Sequence, residues 1–389
     1  MWFFNSPEVV YGEDALNYLE NLVGKRAMIV TDQVLVKLGY VKRVQTKLES
    51  HGFQVQVFDS VEPDPSLETV RKGAEAMLAF QPDWIVGLGG GSALDAAKAM
   101  WVLYERPNMD PEGINPIEKL GLRTKAHFVA IPTTSGTGSE ATWAIVLSNL
   151  GERRKLALGS REALADIAIL DPTLVINMPA RLTADTGLDA LTHAVEGMSN
   201  LWKNDFSDAL CLKAAQLIFT YLPRAYRDGN DAEARFHMQN AACIAGLGFG
   251  NSNCALAHSL GHSMGGVFHI PHGRAVSLVL PYSIEFCING EEGSSHYAEL
   301  AHFLGLPHGS EKEAGTALTA AIRKLQKDVE QPQTLEACGV SQDDFEWELK
   351  LLVENAANDT TAIMATRMPD DDQMRRLFWA IYKGDSVDF

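Results

Sequence analysis

The stretch Phe249 to Gly273, FGNSNCALAHSLGHSMGGVFHIPHG, brings four histidines into a short length of chain. His258 and His262 are four apart, so on a helix they lie one turn above each other on the same face. His272 follows Pro271 and precedes Gly273, which predicts a bend beyond the helix end. Earlier, GLDALTHAVEG sets Asp189 and His193 at the same i, i+4 spacing. Both segments are otherwise small and apolar, so water should be scarce around them. One carboxylate and several imidazoles converging in an apolar setting are the donor set of a divalent metal centre. A single histidine on such a face is ordinarily a packing residue, but two such pairs and a bend histidine point to metal. Spacing alone does not separate ligands from bystanders, and the donor types accept Fe²⁺, Zn²⁺ or Mn²⁺.

A second group of residues suits a nucleotide. Gly89-Gly90-Gly91-Ser92 follows an apolar run and opens a helical pattern, so its backbone amides point outward with no side chains in the way. The spacing Gly87-x-Gly89-x-x-Ser92 lacks the last glycine of the dinucleotide fingerprint, and a tight strand–helix turn would also want these glycines. PTTSGTGSEAT, Pro132 to Thr142, is a further loop of hydroxyls and glycines after an apolar strand. Asp32, ending the first strand, is either a partner for ribose hydroxyls or the N-cap of the next helix.

Positioning these groups falls to two kinds of segment. Up to about residue 170 the pattern alternates. Strands are expected at 26–31, 53–58, 83–88, 127–131, 143–147, 155–158 and 167–170, with helices at 33–51, 66–80 and 93–104. Such alternation predicts a mostly parallel sheet with helices on both faces. From Thr183 to Lys383 only helical periodicity appears, at about 183–199, 206–221, 231–247, 253–266, 274–289, 295–303, 311–327, 341–355 and 370–382. The expected organisation is therefore an α/β dinucleotide-binding domain over 1–180 and an all-helical metal-binding domain over 181–389.

At 389 residues the chain can bury a large core, and 46% hydrophobic against 21% charged residues is a globular profile. A net charge of −17 argues against a nucleic-acid partner. Five widely spaced cysteines without a CxxC pair point to a reducing cytoplasm. The first sixteen residues lack the basic region of a signal peptide, and no apolar run reaches membrane-spanning length.

With GGGS, PTTSGTGSE, GLDALTHAVEG and AHSLGHSMGGVFHIPHG in this order, the chain resembles the iron-dependent (group III) alcohol dehydrogenases over essentially its full length. The resemblance implies a dehydroquinate synthase-like fold with the site in a cleft between the two domains. It implies reversible hydride transfer between a small primary alcohol or aldehyde and NAD(H), in a cytoplasmic homodimer or larger homo-oligomer. It makes Asp189, His193, His258 and His272 the ligands of Fe²⁺, with Zn²⁺ as the other candidate, and His262 a catalytic proton relay rather than a ligand. An alcohol oxygen on such a metal loses its proton readily. Cofactor contacts carry over to Asp32, Asp64, Gly90, Gly91, Ser92, Thr133, Thr134, Thr142, Lys155 and Leu174, and Phe249 is the candidate substrate residue. Two departures stand out: Pro63-Asp64-Pro65 where many members read Pro-Asn-Pro, and Ala144 where some carry an aromatic ring. The PTTSGTGSE segment looks like the alcohol dehydrogenase half of bifunctional aldehyde–alcohol dehydrogenases, without the aldehyde half. A dehydroquinate-synthase-like lyase would want basic residues near the ligands to grip a phosphate, and Arg274 is the nearest.

Overall fold

A computed structural model describes residues 3–290 and 295–389, which fall into two compact units divided after Asn177. The first unit contains β1 (Glu8–Tyr11), β2 (Arg26–Val30), α1 (Gln33–Lys37), α2 (Tyr40–Ser50), β3 (Gln54–Phe58), α3 (Leu67–Phe80), β4 (Trp84–Gly89), α4 (Gly91–Glu105), β5 (His127–Pro132), β6 (Ala144–Asn149), β7 (Arg154–Gly159) and β8 (Ile167–Leu170). Six strands form one sheet in the order β1-β8-β5-β4-β2-β3, and every neighbouring pair is parallel. Met28, Val30, Ile85, Phe128 and Ala130 feed one apolar layer, while Ala27, Ile29, Val86, Leu88, Val129 and Ile131 feed the opposite one. Burial on both faces is why these strands read as unbroken apolar runs.

Two expectations need correction here. The helical stretch 33–51 is two helices, broken at Leu38 and Gly39, where the backbone is left-handed at glycine. Residues 143–147 and 155–158 do mark strands, but β6 and β7 pair antiparallel in a separate two-stranded sheet. Only residues 150–153 join them, far fewer than a parallel crossover needs.

The second unit contains α5 (Ala180–Met198), α6 (Asp205–Arg227), α7 (Ala232–Phe249), α8 (Leu256–Phe268), α9 (His272–Ile288), α10 (Tyr297–Phe303), α11 (Glu311–Asp328), α12 (Gln342–Ala357) and α13 (Asp371–Lys383). Helix starts carry the expected chemistry: Asn204 and Asp370 form capping boxes, and Asp231, Ser310 and Ser341 cap with their side chains. α5 is buried from Thr183 through Met198 and packs against α6, α7 and α9, making it the axis of this unit. Two glycines bring its neighbours close. A Cβ on Gly261 of α8 would lie 2.6 Å from Val276 of α9, and one on Gly273 would lie 2.3 Å from the Asp185 carbonyl of α5. Among the described residues no helix is long and apolar enough to cross a membrane.

Candidate active site

The close packing of α5, α8 and α9 brings their polar residues to one point. Asp189 and His193 stand one turn apart on α5, His258 lies in the first turn of α8, and His272 opens α9. His272 is thus not on a bend. His269 ends α8 in the left-handed conformation, and Pro271, with φ of −51°, starts the next helix at once. One donor atom from each of Asp189, His193, His258 and His272 lies within 4.8 Å of the others. Asp189 Oδ1 is 3.5 Å from His272 Nε2 and 3.9 Å from His193 Nε2. Asp189, His193 and His258 are buried, while the His272 side chain keeps 25% exposure. The Phe249 ring lies flat on His193, centroids 4.0 Å apart at 9°, so this end of α7 covers one face of the cluster.

A divalent ion fits this arrangement. His258 Nδ1 lies 2.6 Å from Glu196 Oε2, and its other nitrogen, Nε2, is buried with no hydrogen-bond partner. A buried imidazole nitrogen left so is costly, and a cation shared with the three neighbouring donors satisfies it. A second group, Glu196, Cys254 and His258, is also close, but does not suit a metal. Two donors on one tetrahedral ion at ~2.1 Å stand roughly 3.4 Å apart, whereas Glu196 and His258 are at hydrogen-bond distance. Burial, then the charges of Glu196, Asp189 and Asp359, push the Cys254 thiol well above its ordinary pKa.

His262, one turn along α8, faces the same region, its ring stacked on His272 with centroids 5.2 Å apart. Its Nδ1 lies 2.8 Å from Asp359 Oδ2, and Thr361 donates its backbone N–H and its hydroxyl to Asp359 Oδ1 at 2.8 and 2.6 Å. Burial alone would raise the Asp359 carboxyl, but His262 and Thr361 together bring it down to about 2. Arg274 donates twice to Asp185, at 3.1 and 2.8 Å, and Gln331 donates to the same carboxylate. The base nearest the cluster is therefore committed to α5 and is not available to grip a substrate phosphate.

In the first unit, Gly90 caps α4 and Gly91 begins it. A Cβ on Gly90 would lie 3.2 Å from Thr134 Cγ2, and one on Gly91 would lie 2.8 Å from Thr137 Cγ2. The loops at 89–92 and 132–138 therefore interlock, with Thr133 N donating to Gly89 O at 3.0 Å. No side chain caps the start of α4, which leaves its first-turn N–H groups to an anion such as a pyrophosphate. Ser92 Oγ accepts from Asp64 N at 3.3 Å, and Lys155 Nζ lies 2.7 Å from Asp64 Oδ1. Asp64, Ser92 and Lys155 are thus gathered on this loop. Asp32 caps α1, its Oδ1 accepting from Val34 N at 2.7 Å and Leu35 N at 3.1 Å. Thr142 is buried behind the second loop, and the Leu174 side chain is packed in the core beside the sheet.

Sequence reading missed four groups. Glu196 could have been found, because 189, 193 and 196 share one face of a helix. Asp359 could not, since it arrives from 97 residues beyond His262. Asp185 gave no signal apart from lying one turn before Asp189. Under the second loop, buried Lys98 donates to Ser139 Oγ at 2.8 Å and Ala144 O at 2.9 Å, while Asp95 accepts from Val146 N at 2.9 Å. Burial pushes the Lys98 ammonium down and Asp95 opposes it.

Residues 6–172 match the family model described as iron-containing alcohol dehydrogenase, and residues 183–382 match the model for the C-terminal region of that family. A relative named NADPH-dependent butanol dehydrogenase, from Clostridium saccharobutylicum, is 39% identical over 100% of both chains. An aldehyde-alcohol dehydrogenase of Streptococcus pneumoniae is 34% identical over 99% of this chain, which spans 46% of that relative. Among solved structures, a 1,3-propanediol oxidoreductase superposes with a TM-score of 0.89 at 32% identity, covering 98% of this chain and 100% of its own.

Proposed function

The chain belongs to the iron-containing alcohol dehydrogenase family, and from that premise we propose that it interconverts small primary alcohols and their aldehydes with NAD(H), at a cation held by Asp189, His193, His258 and His272. The observation carrying this reading is the buried, unbonded His258 Nε2 among three further donors. A divalent ion there supplies Lewis acidity, which favours the deprotonated alcohol and polarises the aldehyde carbonyl. The protein's own residues do the rest. Asp359 fixes His262 at Nδ1, leaving Nε2 as the nitrogen that passes a proton to or from solvent or a hydroxyl. Phe249 shields the His193 face from water and presents an apolar ring to the substrate. Gly90, Gly91, Ser92, Thr133 and Thr134 hold the cofactor phosphates, with Asp64, Lys155, Thr142 and the Leu174 backbone around them.

Small alcohols are favoured because two relatives that match over full length are named for butanol and 1,3-propanediol. NAD(H) is favoured over NADP(H) by Asp32, whose carboxylate would repel a 2′-phosphate. The butanol dehydrogenase relative is named for NADPH, so this preference is the finer part of the reading. Five free cysteines support a reducing cytoplasm. The exposed edge strand β1, with Tyr11 open, supports pairing with a second copy.

The test follows nicotinamide absorbance with a panel of short alcohols and aldehydes, after chelation and after adding back Fe²⁺ or Zn²⁺. Metal-dependent turnover of primary alcohols is expected. Full activity in chelator, or no redox change with any substrate, would contradict the reading.

A further inference from the structure

We propose that Glu196 is the positioning residue of this centre: one carboxylate starts helix α8, sets the ring of His258 and fixes which of its nitrogens is left to bind. The inference rests on His258 being a ligand, as read above. Glu196 is buried on α5, with both oxygens engaged. Oε2 accepts from Ala255 N at 2.9 Å and stands 2.6 Å from His258 Nδ1, while Oε1 accepts from Ala257 N.

The first consequence concerns the helix. The N-cap of α8 is Ala255, whose methyl group cannot accept from the open N–H groups of a helix start. Glu196, some sixty positions earlier in the chain, satisfies two of them and brings negative charge to the positive end of the helix dipole. The start of α8 is therefore set from α5, the helix that also carries Asp189 and His193.

The second consequence concerns the ring. A carboxylate only accepts, so His258 Nδ1 must carry a proton, and in the neutral ring that a metal binds Nε2 then carries the lone pair. Nε2 is the nitrogen buried without a partner, and the protonated alternative would point N–H at that spot. All three partners of Glu196 are donors. An amide in its place, whichever way it turns, sets its NH₂ against at least one of those N–H groups. Either the helix cap or the His258 tautomer must give way.

Glu196→Gln keeps size and removes charge and acceptor capacity, so it separates this role from packing. Its affinity for Zn²⁺, measured by chelator competition on the full chain, should fall ~10–100-fold, the range for losing the partner of a ligating histidine. NADH binding should be retained. His258→Ala is measured alongside. If His258→Ala loses Zn²⁺ while Glu196→Gln binds it within a few-fold of the parent, the positioning role is wrong and the ligand reading survives. If His258→Ala itself leaves Zn²⁺ affinity unchanged, the ligand reading has failed first. Nitrogen NMR of the metal-free parent decides independently of whether the variant folds. With the ring neutral it should show the His258 proton on Nδ1, and a neutral ring protonated at Nε2 instead overturns the proposal.

Discussion

His262 and the metal cluster differ in what ties them down, and that difference makes their roles separable. His258 is tied through Nδ1 to Glu196 with Nε2 turned to the other donors, whereas His262 is tied to Asp359 and lies beyond the four-residue group. His262→Ala should therefore keep its metal and lose turnover by roughly 10²–10⁴-fold, the range for a positioned acid–base group. Stoichiometric metal content with kcat unchanged, or loss of the metal, would each refute the relay. Asp359 adds a pH signature. Its folded pKa, about 2, lies below its ordinary value, so its contribution to stability is full above ~4 and is lost as pH falls toward the folded value. The gap in urea midpoint between parent and Asp359→Asn should thus narrow from about pH 6 to about pH 3; a widening gap would contradict the pairing. At this scale the sequence was legible where function repeats a helical spacing, as at 189 and 193 or 258 and 262. It was silent where a partner comes from a distant segment: nothing near Asp359, in the turn after α12, marks it as the residue that holds His262.

The helix starts carry the next layer of control. Asp32 serves as N-cap of α1 through Oδ1 alone, so capping and cofactor discrimination can be pulled apart. Asparagine caps about as well as aspartate, so Asp32→Asn should leave thermal stability nearly unchanged while raising kcat/KM with NADP(H) relative to NAD(H). An unchanged cofactor ratio would assign Asp32 to capping only. Gly91→Val tests the other helix start. A β-carbon there meets Thr137 at 2.8 Å, so NADH affinity should drop at least ~10-fold while metal affinity stays put; unchanged NADH binding would remove the cradle from the account. Reading elements from periodicity worked for the buried parallel strands and the capped helices. It located β6 and β7 but not their pairing, because their composition suits either a central strand or a hairpin; only the four-residue link decides between them. It also failed at His272, where Pro271 was read as a bend although proline equally begins a helix.

Across the whole molecule the two sets of proposed functional residues occupy different units: the glycine loops proposed for phosphate before Asn177, the four donor residues after it. In the sequence, strand periods stop by residue 170 and helical periods begin near 180. What periodicity could not supply was the convergence of α5, α8 and α9, which depends on close approach at Gly261 and Gly273. The central claim is that Asp189, His193, His258 and His272 bind one metal ion, independently of the nucleotide. Metal affinity of His272→Ala, measured by chelator competition beside an NADH fluorescence titration of the same sample, tests it most directly. Metal binding should weaken by more than the ~100-fold that a supporting residue costs, with NADH binding within a few-fold of the parent. Metal affinity equal to the parent's would contradict it.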